Sequence, residues 1–299
     1  MRMPKVDGVF VGLTAVAVLL IVAMLGVIVG DILIHGWERL TWEFLTASPR
    51  AGMTQGGIFP AIFGTALLVL LMTVFVVPMG VCVAIYFSEY AKRDSWLYRW
   101  TRLAVNNLAG VPSIVFGLFG LGFFVRSVGA AIDREFYAGQ LTYGQPALIW
   151  AALTMAVLTL PVVIVSVEEA LRAVPQSYRD ASYALGATRS QTIFRVDLPH
   201  ALPGVMTGGI LAVSRGAGEV APILFVGAAY FLPNLPTRLN DQFMELGYHI
   251  FILSTQSTDV EATKPLLYTT VLVLLALTFL LNLAAIAIRT RLRVVAGRA

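Results

Sequence analysis

The chain has 299 residues, 58% of them hydrophobic and only 13% charged, with a formal net charge of +4 and a mean hydropathy of +0.81. A soluble domain carries about 25% charged residues, so the composition excludes an ordinary water-soluble fold. It gives no support to a nucleic-acid partner either, because the basic residues lie in short loops between long apolar blocks, where the positive-inside rule accounts for them.

The first apolar block, 9–34, exceeds the roughly 7–15 residues of a signal-peptide core and has no small-x-small cleavage site after it. It reads as a retained transmembrane helix, long enough at about 1.5 Å per residue to tilt in a hydrocarbon core of roughly 30 Å. Five further blocks follow, at about 58–87, 103–125, 146–167, 201–229 and 266–289. Each reaches the ~20 residues needed to cross a bilayer. The expected fold class is therefore all-α: a polytopic membrane protein of six transmembrane helices. Residues 1–57 form an N-terminal span and first outer loop, and residues 58–299 a five-helix membrane domain. Pro78, Pro112 and Pro161 fall inside spans and are expected to bend them. The sole cysteine, Cys82, lies in an apolar block, which rules out an intramolecular disulfide and a CxxC site.

Six spans place both termini on one side. Of the 21 Lys and Arg residues, 14 fall on that side, 6 on the other, and Arg215 is left inside a span. Positive residues collect in the cytoplasm, so both termini, and the polar stretch between the fourth and fifth spans, are expected there. The loop over 230–265 then faces outward and is expected to hold a short amphipathic helix at the surface.

The polar stretch carries its own helix signals. Ser177 and Asp180 fit a capping box, Gly186 fits a C-terminal glycine cap, and Thr188 and Gln191 fit a second box. Leu198-Pro199 closes the unit before span five. The predicted shape is helix, glycine, helix, with Ala181, Tyr183, Ala184, Leu185, Ile193 and Phe194 forming an apolar surface too small to stand alone.

This stretch resembles the signature of permease subunits of binding-protein-dependent ABC importers: Glu-Ala-Ala, three residues, Gly, nine residues, Ile-x-Leu-Pro. Here it reads Asp180-Ala181-Ser182, three residues, Gly186, nine residues, Val196-Asp197-Leu198-Pro199. The substitutions keep charge sign, small size and β-branching. The resemblance implies that Asp180, Ala181, Ser182, Leu185, Gly186, Val196, Leu198 and Pro199 belong to a cytoplasmic coupling helix that docks on an ATP-hydrolysing subunit. The plain alternative is an ordinary amphipathic loop.

Four other stretches, 56–65, 86–90, 106–117 and 215–222, are similar to the phosphate-specific permeases, and Gly218-Glu219-Val220-Ala221-Pro222 is closer to the PstA type than to the PstC type. That resemblance, over about 55–290, implies a PstC-type second permease, an ATP-binding subunit dimer and a periplasmic phosphate-binding protein, all assembled in the lipid of a bacterial inner membrane. It implies no cofactor in this chain, with ATP and Mg held by the ATPase.

Arg215, placed near the middle of span five, and Glu219 at i+4 can pair on one helix face. A guanidinium suits phosphate oxygens in a forked geometry, and Glu219 can accept a hydrogen from hydrogen phosphate that sulfate lacks. The pair is a candidate substrate pathway or, alternatively, a structural ion pair. Asn106, Asn107 and Ser113 beside the Pro112 break either line the route or satisfy freed carbonyls. Gly204, Gly208, Ala212 and Gly216 form a small-residue stripe, suited to packing against another span or the partner permease. His35, His200 and His249 are far apart in sequence, and none reads as a ligand.

There is no G-x-x-x-x-G-K-[ST] loop, so the chain is not expected to hydrolyse ATP. The competing readings are a permease for another oxyanion such as molybdate or sulfate, a passive anion channel, and a membrane-embedded enzyme using Arg215, Glu219, Asp241 and Glu245. The channel leaves the insert unexplained, and the enzyme needs polar residues converging from several spans.

Overall fold

The computed structural model describes residues 5–50, 53, 55–257 and 260–296. The chain is mostly helical. Its elements are α1 (Lys5–Trp37), α2 (Trp42–Thr46), a two-stranded hairpin of β1 (Pro49–Arg50) and β2 (Gln55–Gly56), α3 (Phe59–Ile85), α4 (Trp96–Leu108), α5 (Ser113–Phe119), α6 (Ala130–Phe136), α7 (Leu148–Arg172), α8 (Gln176–Ala184), α9 (Arg189–Thr192), α10 (Leu198–Gly216), α11 (Leu246–Thr255) and α12 (Val260–Ala296). Wider π-helical turns at Tyr86–Tyr90, Gly120–Gly129 and Ile193–Asp197 extend α3, join α5 to α6 and join α9 to α10.

Among the described residues, six helical stretches are long and apolar enough to cross a bilayer: Val9–Trp37, Phe59–Tyr90, Ser113–Phe136, Leu148–Arg172, Arg189–Gly216 and Thr263–Arg291. The six expected spans are thus all present, with span three shifted to Ser113–Phe136 and span five to Arg189–Gly216. Span three begins at Ser113 rather than near 103. Pro112 has no N–H to continue a helix and pushes Val111 away from helical geometry, so 96–108 forms the separate helix α4. The helix of span five ends at Gly216 rather than continuing to 229, because Gly216, Gly218 and Pro222 crowd a segment that then runs as turns.

The core is built on α7. Its buried residues Ala151, Ala152, Ala156, Thr159 and Val163 are small or β-branched, and small side chains let backbones approach closely in lipid. α3 and α10 pack on its two sides. A methyl at Gly80 of α3 would meet Val163 at 2.5 Å, and one at Gly204 of α10 would collide with the Ala170 side chain. The small-residue stripe is therefore spent inside the chain: Gly204 and Gly208 face α7, and Gly216 faces Met72 of α3. Buried hydroxyls stay satisfied locally, Thr65, Thr154, Thr159 and Thr270 each donating to the carbonyl four residues back.

A second apolar cluster joins α2, the start of α3, α11 and α12, through Phe44, Ile58, Met244, Leu246 and Leu266. The expected surface helix in the 230–265 loop does exist as α11, but Leu246, His249, Ile252 and Leu253 are buried. It wedges between α3 and α12 because eight of its ten residues, LGYHIFILST, are apolar, aromatic or glycine. α1 packs chiefly against α12, where Gly36 lies against the Tyr268 carbonyl and His35 against the Tyr268 ring. Its remaining surface is exposed almost end to end.

Candidate functional site

Two regions gather the residues singled out by the sequence. The first is the insert between α7 and α10. α8 starts after Pro175, whose fixed φ suits a helix entry. The expected Ser177–Asp180 capping box does not form: the helix begins at Gln176, and Asp180 instead accepts from the Gln176 amide at 3.1 Å. The C-terminal signal holds fully. Gly186 has φ +81°, its N–H donates to the Tyr183 carbonyl, and the Ala187 N–H donates to the Ser182 carbonyl. Those two bonds make a Schellman motif, in which a left-handed residue reverses the chain at no side-chain cost. Thr188 and Gln191 form the second box reciprocally and start α9. A Ser182–Thr192 hydroxyl contact of 2.9 Å ties the two short helices together.

α8 buries none of its residues. Leu185 is 90% exposed and Phe194 64%, with Tyr178 and Tyr183 nearly half exposed. Asp180, Ala181, Gly186 and Pro199 are exposed, while Ser182, Val196 and Leu198 are half-buried. Large apolar side chains on a polar insert mark a surface awaiting a partner.

Sequence reasoning missed the polar residues behind this surface. Arg179 reaches inward from α8, donating to Glu89 Oε1 at 2.9 Å and to the Leu171 carbonyl at 2.9 Å, with Asp197 Oδ1 3.0 Å from its Nε. Arg189 stands 3.9 Å from Glu89 and over the Tyr90 ring. A neighbouring cluster joins Glu168 on α7 to Arg102 of α4 and, at 2.5 Å, to Arg172. The available signal was an acid near the end of a span, Glu89 or Glu168, facing an arginine-rich insert.

The second region is the break after α10. Arg215 occupies the last turn rather than mid-helix, and Glu219 lies just past the helix end. Their contact, Nε to Oε1, is 3.6 Å, with the side chains 39% and 25% exposed. Among the described residues Glu219 is the one ion-pair partner of Arg215, so the pair ties span five to no neighbouring span. Beyond it the chain runs as turns and stays inside the bundle: Ala147 donates to the Val226 carbonyl at 2.8 Å, and Pro222 lies against Gly117 of α5. Non-helical backbone at membrane depth is tolerated where protein buries it or where it lines a cavity.

Asn106 joins this region. It lines a groove with Val105, Pro161, Val165, Ser166 and Leu211. Leu211 is one helical turn from Arg215 on the same face of α10, although neither Arg215 nor Glu219 lines the groove itself. Asn107 and Ser113 do not line that groove. The acids proposed for an enzyme are occupied. Asp241 accepts from the N–H groups of Arg238 and Thr237, which hold its carboxyl below the ordinary value. Glu245 is buried as the N-cap of α11, accepting from Gly247 and Tyr248. Among the described residues no hydrogen bond or ion pair joins either acid to Arg215.

The sequence matches the family described as binding-protein-dependent transport system inner membrane component over residues 76–294. It is 31% identical over 270 residues to a probable ABC transporter permease protein, YqgI, of Bacillus subtilis, covering 86% of each chain. It is 37% identical over 183 residues to the phosphate transport system permease protein PstA of Yersinia pestis, covering 61% of this chain and 56% of that one. Among solved structures, it superposes with TM-score 0.67 on a bacterial ABC transporter involved in import of the acidic polysaccharide alginate, at 15% identity and covering 96% of each chain.

Proposed function

We infer that this chain, which belongs to the family of binding-protein-dependent transport system inner membrane components, is the permease subunit of an ATP-driven importer of inorganic phosphate. The observation that carries the reading is the exposed helix–Gly186–helix insert, a docking surface with no partner in its own chain, in a sequence similar to phosphate permeases.

In this reading the insert side of the bundle is cytoplasmic, as are both termini, and the excess of basic residues on that side supports it. The transport domain is the five-helix unit from residue 58, with α1 alongside it. Leu185, Phe194 and the flank of Asp180, Ala181, Ser182 and Gly186 seat in a groove of an ATP-binding subunit, while Val196, Leu198 and Pro199 carry the displacement into α10. ATP and Mg2+ belong to that partner, and this chain binds no cofactor. A second permease, of PstC type, completes the pore, and a periplasmic phosphate-binding protein delivers the cargo on the opposite side.

The substrate route runs along the exposed face of α10. Arg215 presents its guanidinium at the helix break, and Glu219 both orients it and accepts a hydrogen from protonated phosphate. Asn106 of α4 lies across a groove from Leu211, one helical turn before Arg215. Asn107 and Ser113 border the route at the α4–α5 turn.

The deciding experiment is uptake into proteoliposomes containing the whole complex, with phosphate, arsenate, sulfate and molybdate compared at equal concentration. ATP-dependent uptake that favours phosphate and arsenate is expected. Faster uptake of sulfate or molybdate would overturn the cargo and leave the permease role standing, whereas uptake independent of ATP would overturn the importer itself.

A further inference from the structure

We propose that Arg179 is the positioning residue that couples α8 to three membrane spans at once, so that motion of the docked insert reaches them as one displacement. The proposal rests on the coupling role of the insert.

Beyond the backbone that joins it to spans four and five, α8 has few side-chain ties to the bundle. None of its residues is buried, and among the described residues its other side-chain ties to the rest of the chain are the Ser182–Thr192 hydroxyl contact and the Tyr178–His200 ring contact. Both of those end within α9 and the first turn of α10. Arg179 differs. Its side chain is 15% exposed and touches the inner end of span two through Glu89, the last turn of span four through the Leu171 carbonyl, and the start of span five through Asp197.

The geometry suits a guanidinium. Its five N–H donors lie in one rigid plane, whereas a lysine offers a single point charge. Glu89 and the Leu171 carbonyl accept N–H bonds from this plane, and the Asp197 carboxylate, on a third element, lies 3.0 Å from Nε as an ion pair. Both acids also sit on π-helical turns, Tyr86–Tyr90 and Ile193–Asp197, at the points where spans two and five leave regular helix. Such turns recur at functional sites. They bring each carboxylate to the same place from a different span.

Charge makes the junction obligatory. Glu89 is 8% exposed and Asp197 1%, and a buried carboxylate without a partner is strongly unfavourable. Arg179 is the cation common to both, and Arg189 at the rim brings the cluster to two acids and two bases. Moving α8 without moving the three span ends would separate these charges.

The test measures phosphate uptake and ATP hydrolysis in the same proteoliposomes of the whole complex. It uses two variants: Arg179→Lys, which keeps the charge and loses the fork, and Arg179→Gln with Asp197→Asn, which keeps the cluster balanced. The expected result is normal assembly, ATP hydrolysis within about twofold of wild type, and phosphate moved per ATP reduced about tenfold. Whichever variant assembles is decisive. A wild-type ratio of transport to hydrolysis would overturn the proposal, as would failure of both variants to assemble, since Arg179 would then only hold the fold. If the wild-type complex itself showed no ATP-dependent uptake, the permease reading would fail instead.

Discussion

At the scale of residues, Arg215 and Gly186 carry the sharpest expectations. A charge-assisted contact is worth about 1.5–3 kcal/mol, so Arg215→Gln should lower phosphate uptake roughly 10- to 100-fold at unchanged membrane abundance. Full uptake would make the pair incidental. Gly186 sits at φ +81° with open space where a side chain would go. Gly186→Ala therefore introduces strain without a clash, about 1–2 kcal/mol, and should weaken ATPase retention during purification without lowering the amount of the chain in the membrane. Gly186 was legible from sequence because a glycine after a short amphipathic run has one dominant use. Arg179 was not, since Glu89, Leu171 and Asp197 meet it only after three spans converge. The Ser177–Asp180 box shows the opposite error: the pattern was present, but Pro175 set the helix start two residues earlier in the chain than a Ser177 cap allows.

At the scale of elements, the spans were readable because lipid forces long apolar runs, whereas their ends were set by local breakers. Pro112 cut off α4, and Gly216 with Gly218 ended α10, moving Arg215 from the centre of a helix to its terminus. Apolar length alone does not distinguish a helix from the buried turns of 217–229. The contact of α10 with α7 gives a direct check. Gly204→Ala should destabilise the protein in a detergent thermal-shift measurement, because the new methyl collides with Ala170. Adding Ala170→Gly should recover most of the loss, as expected for residues in contact. Absence of rescue would mean that the two helices are not packed at this point. The insert makes a separate prediction. Leu185→Asp should abolish co-purification of the ATP-binding subunit and leave thermal stability within about 0.5 kcal/mol of wild type, because an exposed side chain touches little of its own chain.

At the scale of the whole molecule, the surfaces left uncovered correspond to the proposed assembly. The insert presents Leu185 and Phe194 at one end, and the break at Arg215 opens on a flank rather than inside the bundle. A pore completed by a second permease is the arrangement in which that flank becomes an interior. A cysteine at exposed Ser190 should react with a membrane-impermeant maleimide only from the cytoplasmic side, and reaction from outside would invert the topology. α1 adds a temporal constraint. Its main resting place is on α12, at Tyr268, which is 232 positions beyond Gly36 (268 − 36 = 232). At about 5–20 residues per second, a ribosome needs on the order of 10–50 s to supply that partner. α1 therefore enters the bilayer well before its neighbour, and a polypeptide truncated before α12 leaves it an orphan in lipid.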